Sequence, residues 1–348
     1  HMQILLLSDL LASNQSAQSL PSLPLPCVLT IGNFDGVHLG HQTIIYQVLD
    51  TANSQGLASA VMVFERQPRE CFSPSNAPAR LTNLAEKQQL LSNLQHDGKG
   101  LDYLIVAGFD DAFRSLSANE FAQLLLEQLN VKILVLGDDF RFGHDRTGDS
   151  EFLRAFGFVV NNLQTIKDMN NDNRISSTHI RACLAKGQLD HAHALLGHEY
   201  FMLGTVTDGD KIGRTLNFPT ANIALNRLKP AVHGVFGVSV RATDGTDLSS
   251  LGKHGSTGLG GLSKGRLVGA CNVGTRPTLN QQYQWRLEVH FPKFDGDLYG
   301  QELLVTFLHF LHGERRYSSL DALKAGFAAD VHALLAWREG PAWHERLR

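Results

Sequence analysis

Thr30-Ile31-Gly32-Asn33-Phe34-Asp35-Gly36-Val37-His38-Leu39-Gly40-His41 is the stretch around which the first half of the chain is organised. The apolar run Cys27 to Ile31 leads into it and reads as a short buried strand. Glycines at 32, 36 and 40 let the backbone turn sharply and approach a ligand closely. A helix is predicted from about Gly40 to Asn53, with Ile44, Ile45, Val48 and Leu49 on its apolar face. His38 and His41 are three apart, so in a first helical turn their imidazoles share one face beside the free N–H groups of the helix start. Backbone donors, the positive dipole end and two imidazoles together suit a polyphosphate. The plainer reading is a glycine turn with two exposed histidines. The strand before it, the helix after it and the three glycines favour the phosphate reading.

Outward from this loop, strand and helix signals alternate. Ala58 to Phe64, Tyr103 to Ala107, Val131 to Leu136 and Phe158 to Leu163 read as strands. Asn83-Leu84-Ala85-Glu86 and Ser117-Ala118-Asn119-Glu120 have capping-box spacing and open helices to about Gln95 and Asn130. The alternation predicts a parallel α/β sheet flanked by helices, with ligands at the carboxyl ends of its strands. In the loop Asp138 to Gly143, Asp139 and backbone groups are candidates to hold an adenosine or flavin moiety, and Arg141 and Arg146 to meet phosphate. In Arg174-Ile175-Ser176-Ser177-Thr178-His179-Ile180-Arg181 the Ser/Thr run supplies a favoured N-cap, Thr178 to Lys186 reads as the helix, and Arg181 follows one turn in. Hydroxyls, N–H groups and a guanidinium fork again suit phosphate, though simple capping explains the hydroxyls as well.

A domain boundary is expected near Gly187, giving domains 3–187 and 188–340. Beyond it the pattern is mostly strands: Tyr200 to Val206, Gly234 to Arg241, Arg266 to Val273, Trp285 to Phe291 and Glu302 to Phe310. A helix to about Trp337 follows, with capping-box spacing in Ser318-Ser319-Leu320-Asp321. A small antiparallel β-barrel with a C-terminal helix packed outside it is predicted. Lys211, Gly213 and Arg214 form a basic glycine loop able to wrap phosphates. Thr220 and Asn222 are two apart, so in an extended segment they point the same way and could offer a hydroxyl and an amide oxygen to one Mg²⁺, although on spacing alone ordinary strand residues are the stronger reading. Leu287 and Val289 face one side of their strand, and Arg286, Glu288 and His290 the other, where Glu288 on its own reads as a surface residue. The Gly/Ser-rich stretch Thr243 to Lys264 reads as a mobile hairpin insertion far from any chemistry.

Composition narrows the classes. At 348 residues the length suggests two domains, and 43% hydrophobic content supports real cores. A net charge of -3 leaves no global nucleic-acid or membrane footprint. No apolar run reaches the roughly 18 residues of a membrane span, and Met2 to Leu11 lacks the basic flank of a signal peptide. Cys27, Cys71, Cys183 and Cys271 are scattered, with no cysteine pair at metal-ligand spacing, so a reducing, cytoplasmic protein is expected. Oligomeric state is not legible.

The histidine loop resembles the HxGH signature of the nucleotidyltransferase superfamily, and Gly32 to His41 resembles its prokaryotic bifunctional riboflavin kinase/FAD synthetase branch. Ile175 to Arg181 is similar to the ISSTxIR motif that accompanies it, and Gly137 to Gly143 to the pattern between. Gly213 to Asn222 resembles the GRxLGFPTAN signature of riboflavin kinases, followed in order by Gly234-Val235-Phe236, Asn272 to Thr278, Leu287 to His290 and Asp295 to Gly300. The resemblance spans about Cys27 to Trp337. It implies a Rossmann-like nucleotidyltransferase domain making FAD and pyrophosphate from FMN and ATP, and a kinase domain making FMN from riboflavin and ATP, both on small-molecule substrates. It implies catalytic roles for His38, His41 and Arg181 in the first reaction and for Glu288, as base, in the second. It implies binding roles for Gly32, Asn33, Phe34, Asp35, Gly40, Asp139, Ser177, Thr178, Lys211, Gly213, Arg214 and Arg276, and Mg²⁺ at Thr220 and Asn222. Arg66, Asn217, His312 and the 243–264 stretch depart from the family pattern. A related nucleotidyltransferase with another acceptor and a non-catalytic flavin-binding module are the alternatives; the kinase-like half and the intact motifs speak against them.

Overall fold

The computed structural model describes residues 1–12, 23, 26–65, 74–108, 111–163, 175–208, 219–277 and 283–347. They group into two compact units: 1–78 with 87–177, and 79–86 with 178–348. The boundary expected at 187/188 therefore falls inside the second unit. The short segment Ala79–Glu86 joins that unit because its polar groups are satisfied there. The buried Glu86 carboxylate accepts from the Leu203 N–H at 2.8 Å and pairs with Arg227, whose side chain is also fully buried. Tyr200 donates its hydroxyl to Leu81 O at 2.7 Å.

In the first unit six parallel strands form one sheet: β1 (Gln3–Leu6), β2 (Cys27–Ile31), β3 (Ala58–Phe64), β4 (Tyr103–Ala107), β5 (Val131–Gly137) and β6 (Val159–Leu163), in the order β1-β4-β3-β2-β5-β6. The strands β2 and β4 are buried along their whole length, which is why they read as unbroken apolar runs rather than alternating ones. Chain order reverses direction across the sheet between β2 and β5, and a doubly wound sheet opens its ligand crevice at such a point. The helix after β2 runs Leu39–Gln55 and ends at Gly56 with φ 67°. The capping boxes at Asn83/Glu86 and Ser117/Glu120 are both formed, but the second helix is regular only over Ala118–Gln123 and continues as a wide turn, Leu124–Gln128. The edge strand β1, half exposed, was not legible as a strand.

The second unit is built on β7 (Phe201–Thr207), β8 (Thr220–Ile223), β9 (Gly234–Ala242), β10 (Leu259–Gly260), β11 (Leu267–Pro277), β12 (Tyr283–His290) and β13 (Glu302–His312). Six of them close on themselves in the order β9-β13-β7-β8-β12-β11-β9, all antiparallel, with β10 appended to β11. Closure leaves no sheet edge in the barrel. The long terminal helix is Leu320–Glu339, followed after Gly340 by a short one, Pro341–Arg346; the cap of the long helix is Ser319, which accepts from the Ala322 N–H, so the Ser318/Asp321 pairing read from spacing is not the one used.

Two expectations are corrected here. The stretch 243–264 is not remote. Lys253 N–H donates to Asp295 O, Ser256 Oγ accepts from the Asp295 N–H at 3.0 Å, and Gly258 N–H donates to Lys293 O at 2.9 Å. It is thus laced to the loop that lines the barrel cavity at Thr220 and Asn222 described below. Glu288 on β12 is likewise not a surface residue: it is buried, and it lines a small cavity with Phe327, Asp330 and Val331 of the helix Leu320–Glu339.

Candidate active sites

The turn after β2 is tight. Phe34, Gly36 and Val37 all take left-handed backbone, with φ of 50°, 87° and 43°; for Phe34 and Val37 this is strained, a cost tolerated where a site is being shaped. The turn delivers His38 as the N-cap of the Leu39–Gln55 helix. His41 N–H donates to His38 Nδ1 at 3.3 Å, and His38 N–H donates to His41 Nδ1 at 3.2 Å. The rings stack, with centroids 3.5 Å apart and planes at 16°. Phe34 closes edge-on against His41 at 5.2 Å. Each Nδ1 is an acceptor, so the hydrogen-bond network assigns the ring proton to Nε2 in both residues. Burial, then His38, then the Lys87 charge hold His41 well below the ordinary histidine range. The pair is therefore two neutral Nε2–H donors side by side at a helix start, where anions are favoured.

Gly40 is required beside them: a Cβ there would lie 2.9 Å from His38 Cε1. Asp35 is buried in the turn, and its carbonyl accepts from Ser177 Oγ at 3.0 Å. That contact ties the Ser177 end of the helix Ser177–Ala185 to the histidine loop. Thr178 and Arg181, further along that helix, group with the second unit, where Arg181 Nε donates to Ala79 O at 2.6 Å.

At the carboxyl ends of β2, β3 and β5 a cavity of about 810 Å³ opens. Gly32, Asn33 and Asp139 line it, as do Phe64, Phe113, Phe121, Phe140 and Phe142, with Arg141 and Arg146 on its wall. Arg141 also meets Asp149 at 3.5 Å. A largely aromatic pocket of this size takes a flat organic ring system. Asn33 Oδ1 is buried and has no hydrogen-bond partner, an acceptor left for a ligand. The phenylalanines escaped the sequence reading; their recurrence at 113, 121, 140 and 142 was the available signal. Lys87 escaped it too. It is buried, and its charge acts on His41.

In the barrel, register assembles the other set. Asn222 on β8 pairs with Glu288 on β12, and Glu288 pairs with Asn272 on β11. Thr220 pairs with His290, whose Nδ1 faces Pro219 O at 2.9 Å. Thr220 and Asn222 line a cavity of about 90 Å³ with Asp208, Asp295, Asp297 and Tyr299. A smaller one of about 20 Å³ joins Thr220 to Glu288, Asn272 and Asp330. His312 Nε2 lies 2.5 Å from Asp330 Oδ1, so the residue that departs from the family pattern has a hydrogen-bond partner on the helix Leu320–Glu339. Arg276 is on β11 opposite Gln284. Lys211, Gly213, Arg214, Arg66 and Asn217 lie outside the described residues.

Two units, one with a histidine pair at a switch-point crevice and one a closed barrel, match two families in the same order: FAD synthetase over residues 21–179 and riboflavin kinase over 196–337. The chain is 41% identical to the bifunctional riboflavin kinase/FMN adenylyltransferase of Escherichia coli K12, over 87% of this chain and 90% of that protein. The chain belongs to the bifunctional riboflavin kinase/FMN adenylyltransferase family. The Haemophilus influenzae member is 40% identical over 89% of this chain and 94% of its own length. A solved structure described as a macrolide-efflux protein from Streptococcus pneumoniae has 27% identity, covers 90% of this chain and 95% of that one, and gives a TM-score of 0.68. Among the described residues no helix is long and apolar enough to cross a membrane. The family's two activities, phosphorylation of riboflavin and adenylylation of FMN, are those of this chain.

Proposed function

We propose that the histidine loop carries adenylyl transfer and the β8–β12–β11 register carries phosphoryl transfer. In the first reaction an FMN phosphate oxygen attacks the α-phosphorus of ATP and pyrophosphate leaves, with no covalent enzyme intermediate. His38 and His41 donate through Nε2–H to phosphate oxygens as charge develops. Gly32, Phe34, Asp35 and Gly40 shape the backbone that approaches the nucleotide, and Asn33 and Asp139 hold the bound ring systems. Ser177, Thr178 and Arg181 bind ATP phosphates by hydroxyl and guanidinium.

In the second reaction Glu288 accepts the proton of the terminal ribityl hydroxyl of riboflavin as the γ-phosphoryl group moves to it. Thr220 and Asn222 hold Mg²⁺: a hydroxyl and an amide oxygen on one face of one strand are the hard donors this ion takes. When bound, the ion neutralises phosphate charge. Lys211, Gly213, Arg214 and Arg276 complete nucleotide binding. Among the described residues Cys27, Cys183 and Cys271 are buried and outside any disulfide, which supports a cytoplasmic setting.

The observation that carries this reading is the pairing of Asn222 with Glu288, which sets a metal-type oxygen donor directly beside a buried carboxylate. The test is chromatography of riboflavin, ATP and Mg²⁺ with the purified protein over time. FMN first and FAD later is expected from the intact chain. A Glu288→Ala protein that loses both reactions equally would refute the two-site assignment.

A further inference from the structure

On the helix that carries Thr178 and Arg181, and on the helix after it, the second unit gathers three side chains of metal-ligand type that neither reaction uses. His179 and Cys183 stand four apart on the helix Ser177–Ala185, hence on one face, and His191 stands on the next helix, Leu189–Leu196. One ligand atom from each lies within 4.8 Å of the other two. Cys183 Sγ is 3.7 Å from His191 Nδ1, and the two imidazoles meet edge to face with centroids 5.2 Å apart. Cys183 is buried while both histidines are partly exposed, which leaves an ion a route in and a water a place on it.

The distances are close to those of a bound ion. Bonds of about 2.0–2.1 Å to nitrogen and 2.3 Å to sulfur put tetrahedral Zn²⁺ ligands roughly 3.3–3.6 Å apart. The Cys183–His191 separation is nearly there, and the widest gap closes by roughly 1.5 Å or less, a side-chain adjustment. A thiol and two imidazoles are the wrong donors for Mg²⁺, which takes oxygen, and the right ones for Zn²⁺. The other described cysteines do not compete: burial pushes the thiols of Cys27 and Cys271 up, disfavouring the thiolate a metal needs.

We propose that His179, Cys183 and His191 bind one Zn²⁺, with water or an outside ligand in the fourth position. Cys183 gives up its thiol proton on binding and both imidazoles bind neutral. The ion ties the helix bearing Arg181 to its successor across the turn at Gly187, so its presence fixes the rotation of the helix on which that guanidinium is carried.

The test is a Co²⁺ titration of the full chain in Mg²⁺ buffer, read by absorbance, with Zn²⁺ content measured in parallel. Expected are one tight Co²⁺ per chain, a thiolate-to-cobalt charge-transfer band, tetrahedral visible bands, and their loss on adding Zn²⁺. Cys183→Ser should abolish the charge-transfer band. Because Cys183 is buried and that protein can fail to fold, His191→Gln is the second arm. Loss of an outer partner alone costs roughly 10–100-fold in metal affinity, so loss of this ligand should weaken binding by more, and remove any Zn²⁺-induced rise in melting temperature. No charge-transfer band with the intact chain, or a band unchanged in both variants, overturns the proposal and leaves a packed thiol–imidazole hydrogen bond.

Discussion

His38 and His41 cap one helix reciprocally: each ring Nδ1 accepts the other residue's backbone N–H, at 3.2 and 3.3 Å. The arrangement replaces the Ser/Glu capping box with two imidazoles, so the residues that stabilise the helix start are the same ones to which the chemistry is assigned. Structure and chemistry can be separated by substitution. Asn is among the better N-caps, and loss of a cap to Ala costs about 1 kcal/mol. His38→Asn should keep the melting temperature near that of the parent while FAD formation from supplied FMN falls by roughly 100-fold or more, as for a lost preorganised donor. His38→Ala should lose both. Normal turnover in His38→Asn would remove the imidazole from the mechanism.

Gly40 offers a gentler perturbation of the same pair. A Cβ at that position lies 2.9 Å from His38 Cε1, so Gly40→Ala forces the ring to shift while leaving its chemistry intact. Adenylyl transfer should fall and riboflavin phosphorylation should not, measured as separate initial rates. Helix propensity alone favours Ala over Gly by roughly 1 kcal/mol, so an unchanged adenylyl-transfer rate with a raised melting temperature would mean that the ring yields freely.

What was legible in the sequence was local. The strands β2 to β5 and the loop after β2 are runs whose burial and turn chemistry sit within a few residues, and they fold as read. What was hidden depends on partners far along the chain. Glu86 reads as the last member of a capping box, which it is, but its other oxygen serves Leu203 and Arg227, the latter 141 residues on, and this moves 79–86 into the second unit. Glu288 alternates with apolar neighbours and so reads as a surface residue, yet it is buried and shares a small cavity with the helix Leu320–Glu339. The Cys/His/His cluster escaped for a similar reason: only cysteine pairs were compared, whereas the cluster mixes residue types across two helices.

Asn33 is positioned to choose a ligand. Its Oδ1 is buried at the aromatic cavity without a hydrogen-bond partner, and leaving such a group unsatisfied costs about 1–3 kcal/mol. A bound ring that donates to it relieves this, while Asn33→Leu removes the acceptor at similar volume. The KM for FMN should rise roughly 5- to 150-fold, the ratio equivalent to that cost, with riboflavin phosphorylation unaffected and thermal stability unchanged or slightly higher. An unchanged KM would place the FMN ring elsewhere.

Acid should weaken the second unit through His193. Burial pulls this imidazole down to about 4, against the raising effect of Glu199 and Asp190, with Arg346 and His198 pulling with burial. Its Nε2 has no hydrogen-bond partner. In the unfolded chain an ordinary histidine titrates near 6.5, so between about 6.5 and 4 the unfolded state takes up a proton that the folded state refuses. Stability is thus intact above about 6.5 and falls with pH by up to roughly 1.4 kcal/mol per unit from this group. Burial of His290 and His309 acts in the same direction. Tryptophans 285, 337 and 343 all belong to this unit, so their fluorescence reports its urea midpoint. His193→Gln should lose less of that midpoint between pH 7.5 and 5 than the parent; equal losses would count against His193.

Glu288 makes the sharpest separation of the two activities. It is buried, flanked in register by Asn222 and Asn272, and its charge contributes to raising the Cys271 thiol. Glu288→Gln keeps the shape and the hydrogen-bonding capacity while removing the basicity. If the carboxylate takes the ribityl proton, FMN formation should drop by roughly 10²–10⁴-fold, the range for a general base, with the KM for riboflavin little changed. Adenylylation of supplied FMN should continue at the parental rate, because the site proposed for that chemistry is the histidine loop of the other unit. Loss of binding rather than of turnover would make Glu288 a substrate-orienting group, since removing an interaction common to ground and transition states raises KM and spares kcat. The Gln protein therefore distinguishes proton acceptance from mere contact at a position where an Ala substitution, which also opens a cavity, would confuse the two.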